Sequence, residues 1–396
     1  MATPKGAKPP VNAPQSGATP QGLLVGLSKG LGKSAGGSPI ATMLDDPNRV
    51  QAGKWYAPFG SELLAEAAGL VALPSGKLVL LEGKSGSGKS TLALTMAAAA
   101  QKGCFSADDY AAYVKGDAVE LTPAWVFGID VERAFDATYS TAIGLDVANF
   151  VAVDAITVED IFRRIADIIL SARTGIVHVT EPGKVQKPEP SFGKQAPYSG
   201  PLFIIVDAIG RAPTDKELEA PVGHSIVQAG AKTITSEVRR ILHLIATYDV
   251  HLLVVNHTYT SVDMRTGVAR EVPYGGEALL YEAAMRMNFR NSGVVAGEND
   301  EDLGLNSRIT FYKNKISGTV STTLDVTILR SCGLYELGMM LQREMAGGVL
   351  KAKGGGWVDF VHNEVPIKLQ GFNQVLKWFE ANGGVETLKQ IKRAAV

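Results

Sequence analysis

Gly83-Lys84-Ser85-Gly86-Ser87-Gly88-Lys89-Ser90 is the segment from which the architecture follows. It fits the pattern G-x-x-x-x-G-K-[S/T]. Before it stands the apolar run Leu78-Val79-Leu80-Leu81, expected of a strand buried on both faces. After it, Ser90 to Lys102 is rich in Ala and Leu and stops at Gly103, a natural helix C-cap. Glycines at such a turn let backbone N–H groups wrap a β-phosphate, and the helix N-terminus adds partial positive charge. Lys89 is expected to reach the β- and γ-phosphates of ATP, and the Ser90 hydroxyl to ligate Mg²⁺. Residues Gly83 to Thr91 form the predicted nucleotide-binding loop. A glycine-rich turn can match this pattern by chance, but the correct flanks on both sides argue against it.

Outward from the loop, short apolar runs alternate with helical patterns, the signature of an α/β fold with a mostly parallel sheet. Trp125 to Ile129 reads as a strand ending at Asp130, and Leu202 to Val206 as one ending at Asp207. Leu252 to Val255 is a third, and a long helix is expected over 226–248. Thr157 opens another helix whose apolar face is Ile161, Phe162, Ile165, Ile168 and Ile169. Asp207 then lies at the carboxyl edge of the sheet, where it can hold the Mg²⁺ shell through water; the plain alternative is a turn or cap aspartate. Glu132, two residues past its strand, is the candidate general base. His257 follows Val254-Val255-Asn256 and is the candidate sensor of the γ-phosphate. Singly, each would be an ordinary loop residue; jointly they ring one nucleotide. Met285 to Arg290 and Thr323 to Ile328 alternate apolar and polar residues, with the period of antiparallel strands carrying one polar face.

The chain has 396 residues, 45% of them hydrophobic, enough to bury a large core. Lys and Arg number 39 and Asp and Glu 40, which disfavours both a strongly basic coat protein and an acidic disordered chain. A local basic groove remains compatible with that balance. No apolar run reaches the ~18 residues of a membrane span. Cys104 and Cys332 are far apart, and no Cys/His spacing suits a metal. No secretory h-region is visible, so a cytoplasmic location is expected. Residues 1–42, with four lysines and no acid, are expected to form a disordered basic tail. Residues 43–75 are expected to be a lead-in and oligomerisation segment, 76–333 the ATPase core, and 334–396 a small mixed lobe. Residues 103–122 and 181–201 look like insertions.

Taken in order, these segments resemble the RecA family of recombinases, most closely its phage UvsX-like branch. Ile129-Asp130-Val131-Glu132-Arg133-Ala134-Phe135-Asp136 is similar to the family segment whose Glu is the catalytic base. Tyr139 and Asp136 match its adenine-stacking Tyr and neighbouring Asp. Ile143 to Asn149 and Val206-Asp207-Ala208-Ile209-Gly210 also match. Val255-Asn256-His257-Thr258-Tyr259 is the phage form, with His257 where the family has a glutamine. Tyr274-Gly275-Gly276-Glu277-Ala278-Leu279 resembles the segment after the second DNA loop. Tyr312-Lys313-Asn314-Lys315-Ile316 matches the segment whose two lysines reach a neighbour's ATP.

The resemblance implies a RecA-type core with ATP and Mg²⁺ as cofactors. It places DNA-facing loops at about Glu219–Val227 and Thr258–Tyr274, with Arg265 and Arg270 on the second. Lys232, Arg239, Gly275 and Gly276 are then further DNA contacts. The implied activity is a DNA-dependent ATPase that forms filaments on single-stranded DNA and pairs it with homologous duplex DNA. A mediator and a single-strand-binding protein are the expected helpers. The basic end Lys389 to Arg393 departs from the family's acidic tail and predicts unrestrained duplex capture. A ring-forming helicase on the same core, and a nucleotide-gated annealing or mediator protein, stay open as alternatives.

Overall fold

Five parallel pairings around the phosphate-loop strand make the frame on which the site is built. The computed structural model describes residues 53–176, 197–221, 229–262, 265, 267–296, 301–319, 321–350 and 353–394. The predicted tail 1–42, the start of the lead-in, most of the insertion 181–201 and most of the first DNA-facing loop lie outside these residues.

The described chain opens with β1 (Trp55–Pro58), α1 (Glu62–Ala68) and β2 (Ala72–Pro74). β3 (Lys77–Gly83) runs into α2 (Lys89–Lys102). β4 (Phe105–Ser106) and α3 (Tyr110–Lys115) occupy the insertion 103–122. Then come β5 (Trp125–Asp130), α4 (Ala137–Ile143), β6 (Phe150–Asp154), α5 (Val158–Thr174) and β7 (Leu202–Asp207). α6 (Asp215–Glu219), α7 (Ala229–Thr247), β8 (Val250–Val262), β9 (Ala269–Pro273) and α8 (Ala278–Glu282) follow. The core ends with β10 (Met285–Ala296), β11 (Asp302–Asn314), β12 (Thr322–Leu329) and β13 (Gly333–Leu334). Last come α9 (Glu336–Gly347), β14 (Trp357–His362), β15 (Val365–Gln370), α10 (Gly371–Ala381) and α11 (Gly384–Ala394).

The large sheet has the order β13-β12-β11-β10-β3-β8-β7-β5-β6, with β9 added on β8. It is the mostly parallel α/β sheet, helices on both faces, that the alternation of apolar runs predicts. Both faces of the central strands are buried, which is why those strands read as unbroken apolar runs. Val79, Leu81, Leu253 and Val255 point to the face covered by α1 and α2. Leu78, Leu80, Leu252 and Val254 point to the face covered by α5 and α7. A third cluster, with Leu341, Val358, Phe360, Val375 and Phe379, lies in the last sixty residues. Two ion pairs tie α1 to those residues: Glu66 takes both guanidinium nitrogens of Arg343 at 2.7 Å, and Glu62 takes Lys389 at 2.6 Å.

One expectation changes here. The alternation of Met285 to Arg290 predicts an antiparallel strand with one polar face. β10 is antiparallel to β11 but parallel to β3, and of its polar residues Arg290 is exposed while Arg286 and Asn288 are partly or fully covered. Asn288 is buried, and Arg286 Nη2 donates to the buried Glu82 Oε1 at 2.7 Å. Alternation sets which residues share a face, whereas strand direction and cover depend on partners distant in sequence.

Candidate functional site

The phosphate loop bridges the end of β3 and the start of α2. Gly88 has φ of 92°, and a Cβ there would lie 2.3 Å from Ile328 Cδ1, so only glycine fits the turn. Ser87 Oγ donates to Lys84 O at 2.8 Å, and Ser307 Oγ from β11 donates to Ser87 O at 2.9 Å. Lys89 is 3% exposed and its Nζ donates to Lys84 O at 2.7 Å. Burial pushes this ammonium down to about 8. Ser85 to Thr91 line a cavity of about 520 Å³ together with Glu132, Tyr139, Asp207 and His257. Gly83 and Lys84 lie behind it, and Lys84 contributes its carbonyl.

Asp207 is the last residue of β7 and pairs in register with Asp130 of β5. Burial pushes its carboxyl up to about 6, against the opposing pull of a hydrogen bond from Ser90. Its Oδ2 is buried with no hydrogen-bond partner. An orphaned carboxylate oxygen beside a hydroxyl at the phosphate end of the cavity suits a hard divalent cation, so the residues fit Mg²⁺. Ser90 and Asp207 would hold it. Among the described residues no group of three His, Cys, Asp or Glu side chains forms a protein-only metal cage. Asp130 serves the backbone instead. Its two oxygens accept from the N–H groups of Ala134 and Phe135 at 3.0 and 3.1 Å. They hold the turn that carries Glu132.

Glu132 and His257 meet across 125 residues of sequence. His257 Nε2 donates to Glu132 Oε1 at 2.7 Å, because a carboxylate can only accept. Burial, with the Lys89 charge, holds the imidazole below its ordinary value, so it is the neutral tautomer with Nε2–H that faces the carboxylate. The strand carrying His257 is tied to the chain beyond it. Tyr274 N donates to His257 O at 3.0 Å, and Asn256 Nδ2 donates to Tyr274 O at 2.9 Å.

The segment expected to be the second DNA-facing loop is a hairpin. β8 continues past His257 and pairs with β9, from Thr258 opposite Pro273 to Val262 opposite Ala269. Thr258, Thr260 and Val262 on one arm and Val272 on the other are β-branched, which favours strands. Arg265 is exposed at the tip, while Arg270 lies on β9, its side chain outside the described part. Gly275 and Gly276 both have φ of 78° and pack on α7. A Cβ on Gly275 would come 2.4 Å from Ile234 Cδ1. Lys232 and Arg239 are exposed on α7, seven residues apart and so on one face.

At the base end, Tyr139 lines the cavity with its hydroxyl 2.8 Å from Thr91 Oγ1. Asp136 does not line it. Its carboxylate accepts from Tyr139 N at 2.6 Å and caps α4. Arg330 and Asp302 form an ion pair on the cavity wall, which no local pattern announces because β11 and β12 bring them together. Lys313 and Lys315 are absent from this cavity. Lys313 Nζ donates to the carbonyls of Leu280 and Tyr281 at 2.9 and 2.5 Å, at the end of α8. β11 runs from Asp302 in the cavity to Lys313, about 35 Å along an extended strand. Lys315 is exposed beyond it.

Sheet and loop define an α/β protein with a mostly parallel central sheet, consistent with a RecA-type core, that carries a phosphate-loop motif. Residues 198–335 match the model of the RecA N-terminal domain family. The chain is 27% identical to the RecA protein of Pseudomonas putida over 335 residues, 84% of this chain and 79% of that one. It is 25% identical to the RecA protein of Ectopseudomonas oleovorans, over 82% of this chain and 78% of its relative. No helix among the described residues is long and apolar enough to cross a membrane.

Proposed function

We propose that this chain is a RecA-family recombinase of the phage UvsX-like branch. It is a DNA-dependent ATPase that assembles as a filament on single-stranded DNA and catalyses homologous pairing and strand exchange. One observation carries the reading: β8, which carries His257 2.7 Å from Glu132 at the nucleotide cavity, continues past it into the β8–β9 hairpin. Nucleotide and DNA are thereby read by two stretches of one strand.

ATP enters with its phosphates in the Ser85–Thr91 loop, and bound Mg²⁺ supplies charge neutralisation on them. Lys89 exchanges the Lys84 carbonyl for phosphate oxygens. Tyr139 stacks on the base, with Asp136 shaping the helix that presents it. Glu132 orients the attacking water. His257 shifts between Glu132 and the γ-phosphate, and Asn256 and Tyr274 carry that shift to the hairpin foot. Arg265, Arg270, Lys232, Arg239 and the Gly275-Gly276 turn face DNA phosphates, which position the strand while base pairing reads sequence. Lys313 and Lys315 leave their own chain's cavity free and complete a neighbour's site in the filament. The described part of the lead-in and the last sixty residues serve as filament and duplex-facing accessories. A mediator and a single-strand-binding protein assist loading, in the cytoplasm.

D-loop formation from single-stranded DNA, supercoiled duplex and ATP is the test. Homologous pairing is expected. DNA-stimulated ATP hydrolysis without any pairing would overturn the recombinase reading. Glu132→Gln is expected to cut hydrolysis by ~10²–10⁴-fold, the range of a positioned general base, while ATP still binds.

A further inference from the structure

Glu132 has a cationic neighbour besides its hydrogen bond with His257. Arg211 Nε lies 3.3 Å from the same Oε1. Arg211 ends the short turn Ile209–Arg211 that follows Asp207. Its side chain is 55% exposed, while the carboxylate it reaches is 22% exposed. An ion pair lying wholly in solvent would contribute little, but here one partner is sheltered by the cavity. Arg211 also stands beside the foot of the hairpin. A Cβ on Gly210 would meet Tyr274 Cβ at 2.7 Å and Asn256 Oδ1 at 2.4 Å. The base, the sensor strand and the hairpin therefore converge within one residue of this arginine.

A hydrogen bond from His257 and an ion pair with Arg211 both fall on Oε1, where they compete with an attacking water for that oxygen. The arginine, in contrast, has most of its fork in solvent on the side where DNA is proposed to lie. Guanidinium groups prefer paired contacts to phosphate oxygens over a single contact to a carboxylate. We infer that Arg211 is a latch on the catalytic base: without DNA it occupies Glu132, and a DNA phosphate at the hairpin foot draws it away. The latch rests on the reading of a DNA-dependent ATPase and supplies its DNA dependence. Arg211 acts through Glu132, so it is a positioning residue.

The test is steady-state ATP hydrolysis by the full chain, with and without an oligothymidylate strand, for wild type, Arg211→Ala and Arg211→Lys. Without DNA, kcat of Arg211→Ala is expected to rise roughly fivefold, the equivalent of one released, partly sheltered ion pair, with the ATP KM unchanged. At saturating oligothymidylate it is expected to match wild type. Arg211→Lys keeps the charge and is expected to retain most of the suppression. The rise must vanish in Glu132→Gln/Arg211→Ala, because it passes through the carboxylate. DNA-free turnover of Arg211→Ala at or below wild type, with wild type normally stimulated by DNA, overturns the latch alone. So does a rise that survives in the double variant. Wild type that DNA does not stimulate overturns the DNA-dependent reading and the latch with it.

Discussion

Lys89 and Lys313 sit at opposite edges of one sheet and share one chemistry. Each ammonium donates to backbone carbonyls, and burial holds each at about 8. Their settings differ. Lys89 is bound to Lys84 O inside a loop shaped for phosphate, so the partner it lacks is a ligand of its own chain. Lys313 satisfies the carbonyls that end α8, with Lys315 adding like charge nearby. Lys313 is not among the residues that line the phosphate cavity of its own chain. Lys89 stands in the phosphate loop of its own chain, whereas Lys313 lies outside that cavity. The proposed head-to-tail filament would join two such unlike edges.

Three experiments probe that contrast. The largest effect is expected from Lys89→Ala, which should weaken MgATP binding by roughly a hundredfold, about 3 kcal/mol for a buried charge-assisted contact. Lys313→Ala should leave binding by the dispersed chain within about twofold, because no contact inside the pocket is lost. Fluorescent nucleotide titration reads both, and a large loss in Lys313→Ala would place it in its own pocket.

The next effect concerns turnover on DNA. Each single variant should be inactive there, whereas a one-to-one mixture should recover about one quarter of wild-type rate. Only a junction pairing an intact Lys89 pocket with an intact neighbouring Lys313 is complete in a head-to-tail chain. A mixture no better than its components would remove the trans role.

The smallest effect is in pH. The folded, nucleotide-free chain loses protons from these lysines near pH 8, while the unfolded chain keeps them to the ordinary lysine value of 10.5. Between those values the unfolded state binds more protons, so stability rises with pH. ATP attraction falls over the same window as Lys89 loses its charge. Lys313→Arg should not displace that alkaline fall in ATP binding by the dispersed chain. A displaced fall would tie Lys313 to its own pocket.

Much of the fold is legible because its signals are local. The loop, the two flanking elements, and the strand ends at Asp130 and Asp207 follow from spacing within a few residues, whereas β8 runs on past His257. Parallel connections then oblige those strand ends to share one edge. The cavity gathers Glu132, Asp207 and His257 for that reason. The helix predicted over 226–248 is described as Ala229–Thr247. Asp136 shows the converse. The resemblance implies a nucleotide contact for it, and the carboxylate caps α4, since an N–H two to three residues on is the nearest donor.

The phosphate loop, the α/β alternation and the residues standing at strand ends are all written along the chain, because each depends on near neighbours. Long-range packing settled the rest: the Glu132–His257 bond, the Arg211 contact, the Arg330–Asp302 wall and the burial of Arg286 against Glu82. It also turned the segment after His257 into a hairpin. The reason is cross-strand register. A hydrogen bond between residues 125 apart is set by which strands pair, and in what alignment, and no local period records that choice.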